Sequence, residues 1–377
     1  MKPYYLDYNA TCPQLEVVSK VMQEVADQAF GNPSSMHWAG RNARRYLDDA
    51  RDQIAKYLAV ESASVVFTSG ATEANNMVIQ GVMAQHETGH VVMSAIEHPA
   101  TLLTVQMMCQ RSSGWSVSEV KPDADGKVNA KSLLEACHDD TKLLCLMWVN
   151  NETGVIQPVQ EVVEACRDRG IAVLVDGVQA LGKLDVNLST LAADYVSFSA
   201  HKIGGPRGLG ILVQRRGVKL ESLMIGGGQE RGRRSGTENV AGAAGFAAAL
   251  GQHDYAQLAA LRDSFEEKLL VALPDVHVFG QNHVRAGNTS MFSIPGLEGE
   301  TLLMQMDLAG FAVASGSACS SGKRDPSHVL MAMGVSDVLA KGSLRISFGF
   351  EHDEAVLDRL VQTLLNIRQR LKKMSGR

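Results

Sequence analysis

What the chain lacks narrows its function first. No stretch approaches the ~20 consecutive apolar residues of a membrane span. The nearest, Val240 to Leu250, is so rich in Ala and Gly that it predicts a tightly packed helix instead. The opening residues, MKPYYLDYNA, hold no apolar signal core. Cysteines at 12, 109, 137, 145, 166 and 319 form no CxxC and no zinc-ligand spacing, so no metal site is expected, and a reducing cytosol suits them best. An excess of basic charge is missing too. A net charge of −5 argues against direct nucleic-acid binding, and the basic C-terminus from Arg368 to Arg377 reads as the solvated end of a helix. No internal repeat and no low-complexity linker interrupts the sequence.

What is present is ordinary globular material: 377 residues, 45% hydrophobic and 20% charged, about two domains at roughly 150 residues each. Pro13 to Phe30 carries apolar residues at helical spacing behind a first-turn proline. Gly31 to Ser35 breaks that helix, and a longer one follows to about Leu58 with Arg and Asp on its outer face. Strand patterns near 64–68, 90–94, 115–120, 142–149, 171–175, 194–198 and 209–213 then alternate with helical ones. Such alternation predicts an α/β fold: a seven-stranded, mostly parallel sheet covered on both faces, in a large domain over 13–252. After 253 the pattern changes to short strands (HVFG, NTSMFSI, FAVASG, LRISFG) and helices over 299–309 and 353–373. A smaller α+β domain, residues 1–12 and 253–377, is expected there.

The stretch from Ile171 to Gly205 carries the most chemistry. IAVLVD is an apolar, β-branched run that stops on Asp176; YVSFSAHK repeats the design and stops on Lys202, before Gly204-Gly205-Pro206 ends any strand. An acid and an amine thus meet at one sheet edge, where ligands of α/β proteins bind. The pair suits pyridoxal phosphate, whose aldehyde a lysine can hold and whose ring nitrogen a carboxylate keeps protonated. A plain strand-end ion pair, or two unrelated surface residues, would have the same pattern.

Other candidates collect around the same edge. Ser69-Gly70-Ala71-Thr72 opens a helix whose free N–H groups can hold an anion, though an ordinary helix start has the same signature. His98 follows a strand and could shuttle protons near neutral pH, or be merely structural. Asn150-Asn151-Glu152 is another polar strand tip. In GGGQERGRRSGTEN, Arg231, Arg233 and Arg234 make an anion-friendly loop whose composition by itself predicts a solvated, flexible segment. Ser315 to Gly322 is a small-residue loop around Cys319, with little core to hide a thiol, whereas the Cys109, Cys137, Cys145 and Cys166 patterns predict inert core.

Together, LDYNAT, FGNPSS, VFTSGATEANN, EHPA, VNNETG, VDGVQ, SFSAHKIGGPRG, GGGQERGRRSGTEN, SGSACSSG, DPSHVL and LRISFG run nearly end to end. In these motifs the chain resembles the cysteine desulfurases of the class-V aminotransferase family, pyridoxal-phosphate enzymes of fold type I. The resemblance implies that Lys202 holds the cofactor and moves the substrate Cα proton, and that Asp176 pairs with the ring nitrogen. It implies that Gln179 bonds the phenolic oxygen and His98 stacks on the ring. Ala71, Thr72, Ser199 and His201 would bind the phosphate, joined by Thr237 from the neighbouring subunit of a homodimer. Asn151 and Arg345, with Asn32 nearby, would clamp the carboxylate of L-cysteine. Cys319 would take the sulfur as a persulfide, leave alanine, and hand the sulfur to an acceptor protein in the cytoplasm.

The chain departs from the commonest family pattern at Cys12, at Gly177-Val178 and at Gly204. Cys12 could be a second reactive thiol or a small semi-buried residue. The tail by which housekeeping iron–sulfur-assembly members dock their scaffold has no counterpart before Arg377. Iron–sulfur scaffold, tRNA or DNA thiolation machinery, or another carrier all stay open as acceptor. Cys319 argues against an aminotransferase on the same fold, a selenocysteine lyase stays possible, and joint retention of Lys202, Asp176, His98 and Arg345 argues against a non-catalytic carrier.

Overall fold

The computed structural model describes residues 3–316 and 326–374. After the short strand β1 (Tyr4–Tyr5) come the helices α1 (Glu16–Gln28) and α2 (Trp38–Tyr57). The large sheet then forms from β2 (Val65–Thr68), β3 (Gly89–Ser94), β4 (Trp115–Val120), β5 (Thr141–Met147), β6 (Ala172–Asp176), β7 (Tyr195–Ser199) and β8 (Gly210–Gln214). Its seven strands run in the order β2-β8-β7-β6-β5-β3-β4. Only β8 is antiparallel to its neighbours β2 and β7. The expected mostly parallel, doubly wound α/β sheet is what forms.

Burial explains why the central strands are apolar throughout. Along β5, Leu144 and Leu146 enter one hydrophobic cluster while Leu143 and Cys145 enter another; along β6, Val173 and Val175 alternate with Leu174 in the same way. Successive side chains of a strand point to opposite faces, so both faces must be covered. Helices α3 (Ala71–Met83) and α4 (Pro99–Arg111) contribute to the second of those faces. Each fully buried Leu, Val or Phe adds about 1.5–3 kcal/mol relative to exposure. The helix Val240–Ala249 lies so close to α1 that a Cβ on Gly245 would meet Met22 Cγ at 2.7 Å.

A further core is built on a four-stranded antiparallel sheet, β12-β13-β10-β9, from β9 (His277–Phe279), β10 (Thr289–Ser293), β12 (Ala314–Ser315) and β13 (Ser343–Ser347). Between them in sequence, β11 (Phe311–Ala312) pairs in parallel with β1. Leu6, Tyr8 and Cys12 join this core with residues from Tyr255 to Ile367. The N-terminal segment therefore ties both sheets together: Asn9 N donates to Ser347 Oγ at 2.9 Å and Cys12 N to His201 O at 2.9 Å. No helix among the described residues is long and apolar enough to cross a membrane, and none of their His, Cys, Asp and Glu side chains form a group able to hold a metal ion.

The structure corrects three expectations. First, β7 ends at Ser199, and Lys202 sits in a following 3-10 turn, Ala200–Ile203, because Ala200 O accepts from Gly205 N and Gly204 takes φ +78°. A side chain at Gly204 would also strike Leu15 Cγ at 2.6 Å, which accounts for the glycine. Second, Arg51 faces inward from α2, and third, the 226–239 loop is pinned down. Arg51 donates to both Glu230 oxygens at 2.7 Å, and Arg234 Nε donates to Glu73 at 2.7 Å. The long-range partner supplies what composition could not show.

Candidate active site

A cavity of about 410 Å³ opens at the carboxyl ends of the parallel strands, closed on its other side by the N-terminal segment and β13. Asp176 ends β6 and is buried, as its strand is sealed by its neighbours. Its Oδ2 accepts from Asn75 Nδ2 at 2.8 Å and its Oδ1 from Val178 N at 3.1 Å. Gly177 lets the chain turn here, since a Cβ would meet Phe198 Cε1 at 2.5 Å. Gln179 follows in the turn; its Nε2 donates to Asn9 O at 3.0 Å.

Lys202 projects into the cavity from the turn after β7, its Nζ donating to Asn9 O at 2.5 Å and Ala10 O at 2.8 Å. His201 beside it meets Thr11 Oγ1 at 3.1 Å. Burial first, then Lys202 and Arg207, push the His201 imidazole down to about 4, so it is neutral at pH 7. His98 caps α4, its Nδ1 accepting from Ala100 N at 3.1 Å. Burial, Lys202 and His328 hold it below the usual histidine range against Asp176. With Nδ1 an acceptor, the neutral ring carries its proton on Nε2.

The start of α3 opens on another corner of the cavity. Gly70 at the N-cap offers the first-turn N–H groups no side chain, and Ala71 N donates to Ser199 Oγ at 2.9 Å. Thr72 lines the same corner. Across the cavity, buried Arg345 donates from Nη1 to Asn151 O at 2.9 Å and from Nη2 to Asp7 Oδ1 at 2.7 Å. Its buried Nε has no partner. Each Nη group carries a second N–H beyond these bonds, and the guanidinium lines the cavity, where a carboxylate could pair with it.

The structure thus brings Ala71, Thr72, His98, Asn151, Asp176, Gln179, Ser199, His201, Lys202 and Arg345 to one cavity. Asn32 does not join them: it lies in the exposed turn after α1, its Oδ1 accepting from Ser34 N at 2.9 Å. Thr237 lines a separate pocket with Ser69 and Arg234. Cys319 lies outside the described residues. Cys12 is buried behind the wall, donating to Lys202 O at 2.8 Å, and burial pushes its thiol up. That environment suits a structural residue rather than a reactive thiol.

Sequence reasoning missed Asp7, Asn9, Asn75 and Lys183, although the first three stand inside the quoted LDYNAT and VFTSGATEANN motifs. It also missed two buried acids. Burial pushes Glu97 up to about 8, and Glu152 up as well, where it accepts from Ser327 Oγ at 2.5 Å.

Comparison with known proteins points one way. The family model described as aminotransferase class-V matches residues 4–360. Cysteine desulfurase 2 of Trichormus variabilis is 38% identical over 381 residues, covering 100% of this chain and 95% of that protein. A solved NifS-like protein superposes with TM-score 0.88 at 34% identity, over 97% of this chain and 99% of its own. SspA, solved in complex with cysteine, gives TM-score 0.82 at 30% identity over 92% and 98%.

Proposed function

The chain belongs to the class-V aminotransferase family and is a cysteine desulfurase, and from that premise we propose that it uses pyridoxal 5'-phosphate and passes sulfur through a persulfide on Cys319. One observation carries the reading: a carboxylate (Asp176) at the end of β6 and an amine (Lys202) from the turn after β7 face one cavity with Arg345 opposite. The donor set fits the cofactor. Lys202 is the amine for its aldehyde, Asp176 the carboxylate for its ring nitrogen, and the start of α3 with Ser199 and His201 the cradle for its phosphate. Gln179 presents an N–H₂ group for the phenolic oxygen.

When bound, pyridoxal phosphate supplies an electron sink for the reaction at the substrate Cα. The chain's own residues do the rest. Arg345 and Asn151 hold the substrate carboxylate and so fix which Cα bond points at Lys202. Lys202, once displaced by substrate, takes the Cα proton. Neutral His98, lining the same cavity, would offer its Nε2–H to the bound cofactor and substrate. The Cys319 thiolate then attacks the substrate sulfur: an S–S bond forms as the C–S bond breaks, the bonding pair stays with carbon, and proton uptake yields alanine.

The working form in this reading is a cytoplasmic homodimer that delivers its persulfide to an acceptor protein, with iron–sulfur cluster assembly one destination. Exposed Phe30, Met36 and Trp38 (70%, 90% and 67%) beside Asn32, and exposed Ile225 beside the 226–239 loop, support a second copy covering this surface. The position of Thr237 outside its own chain's cavity supports its donation to the neighbour.

The test is peptide mass spectrometry after brief exposure to L-cysteine, with alanine quantified alongside. One added sulfur on the Cys319 peptide, lost with alanine formation in Cys319→Ser, is the expected result. Alanine with sulfur on another cysteine would overturn the Cys319 assignment.

A further inference from the structure

A second lysine stands behind the cavity wall, unused by the reaction described above. Lys183 follows Gln179 by one helical step in the turns after β6 and is 3% exposed. Its Nζ donates to Gln179 Oε1 and to Asn9 Oδ1, both at 2.5 Å. The ionisable groups facing it are Cys12 from the N-terminal segment, Lys202 from the turn after β7 and Arg345 from β13, with no carboxylate among them. Burial, Lys202 and Arg345 push the amine down to about 7 from its ordinary 10.5. An apolar side chain of similar length would fill the space without that cost, so stability does not explain the lysine.

The hydrogen-bond pattern does. A lysine has three donors and no acceptor, so the Gln179 atom facing it must be the carbonyl oxygen. The Gln179 Nε2 is thereby turned the other way, where it donates to Asn9 O at 3.0 Å on the cavity side. The same ammonium holds Asn9 Oδ1, which directs Asn9 Nδ2 to Asn151 O at 3.1 Å and Thr289 Oγ1 at 2.9 Å. Asn9 O is also an acceptor for Lys202. One buried cation therefore orients the groups that meet the amine and the ring oxygen.

We propose that Lys183 is a positioning residue that locks Gln179 with its amide donor toward the cofactor's phenolic oxygen and, in its protonated form, sets a positive charge behind that oxygen. The inference rests on the pyridoxal-phosphate reading above. Lys183 touches neither cofactor nor substrate; it acts through Gln179 and Asn9.

Two measurements on the full-length chain test it. In the loaded protein, Lys183→Met weakens cofactor binding about three- to tenfold, the worth of one hydrogen bond. It also moves the pH midpoint of the cofactor's visible absorption upward, because a cation beside a chromophore disfavours its protonation. Gln179→Leu loses a similar amount, and the double variant loses no more than the worse single one. A Lys183→Met protein that loads with wild-type affinity and midpoint, or losses that simply add, would overturn the inference while leaving the cofactor reading intact. A wild-type protein that binds no pyridoxal phosphate would overturn both.

The second measurement needs no cofactor and no Lys183 variant. A lysine whose folded value is lowered releases its proton near pH 7 in the folded chain while the unfolded chain holds it to about 10.5, so stability rises with pH across that window. Gln179→Glu sets a carboxylate against Lys183, restores its proton and flattens that rise. Equal slopes for wild type and Gln179→Glu would show that the two side chains do not face each other.

Discussion

Arg51 and Arg345 are both buried arginines paired with a carboxylate, in two different parts of the molecule, and they are built differently. Arg51 binds its carboxylate at two points: it donates from both Nη groups to the two Glu230 oxygens at 2.7 Å, donates to Val65 O at 2.8 Å, and lies over the Phe67 ring. Glu230 takes a further bond from Phe67 N at 3.0 Å. Arg345 reaches only one oxygen of the partly buried Asp7, donates its other Nη to Asn151 O, and lines the cavity. A two-point ion pair outside the Lys202 cavity holds structure. A one-point pair whose arginine lines that cavity keeps Nη donors for a carboxylate.

The largest expected effect removes chemistry alone. Lys202→Ala lowers alanine formation by about 10²–10⁴-fold with the melting temperature kept, as measured by amino-acid analysis and calorimetry on the same sample. Arg51→Met tests the structural half of the contrast. Leaving Glu230 buried and unpaired costs about 3–5 kcal/mol in denaturant unfolding, while the KM of the folded fraction for L-cysteine stays unchanged. Arg345→Gln tests the other half: kcat/KM falls about tenfold to a hundredfold, mostly through KM, with a stability loss well below that of Arg51→Met. If Arg345→Gln unfolds the protein and spares KM, the contrast collapses.

Smaller effects sharpen the picture. His201 is neutral in the folded chain with its value lowered to about 4, so the stability it contributes is present above pH 6.5 and lost as pH falls from there through 4. Thermal unfolding of wild type and His201→Asn should converge across that window. Cys12→Ser should change least, leaving alanine formation and the Cys319 persulfide intact, because the thiol is buried against Lys202 O and Tyr255.

Much of this was legible in sequence because the sheet announces itself. Mostly apolar runs alternating with helical patterns point to a covered, mostly parallel sheet, and the ends of β6 and β7 in such a sheet bring Asp176 and the turn holding Lys202 together. What escaped was pairing between distant residues. Arg51 sits in a helix full of Arg and Asp and looked outward-facing, since nothing local marks Glu230, far along the chain, as its partner. Lys183 was passed over because lysines are mostly exposed, and only the structure shows one buried against two amide oxygens. Asn9 looked like one polar residue in a short N-terminal motif; its role as a hub appears only when β13 and the turn after β7 close around it.

The most direct test of the central claim is chemical. Purified protein loaded with pyridoxal phosphate would be reduced with borohydride, which makes the bond between cofactor and amine permanent, and its peptides mapped by mass spectrometry. The account predicts the pyridoxyl group on Lys202, in the peptide that continues YVSFSAH. Finding it on Lys183, or on no lysine in protein that carries the cofactor, would contradict it.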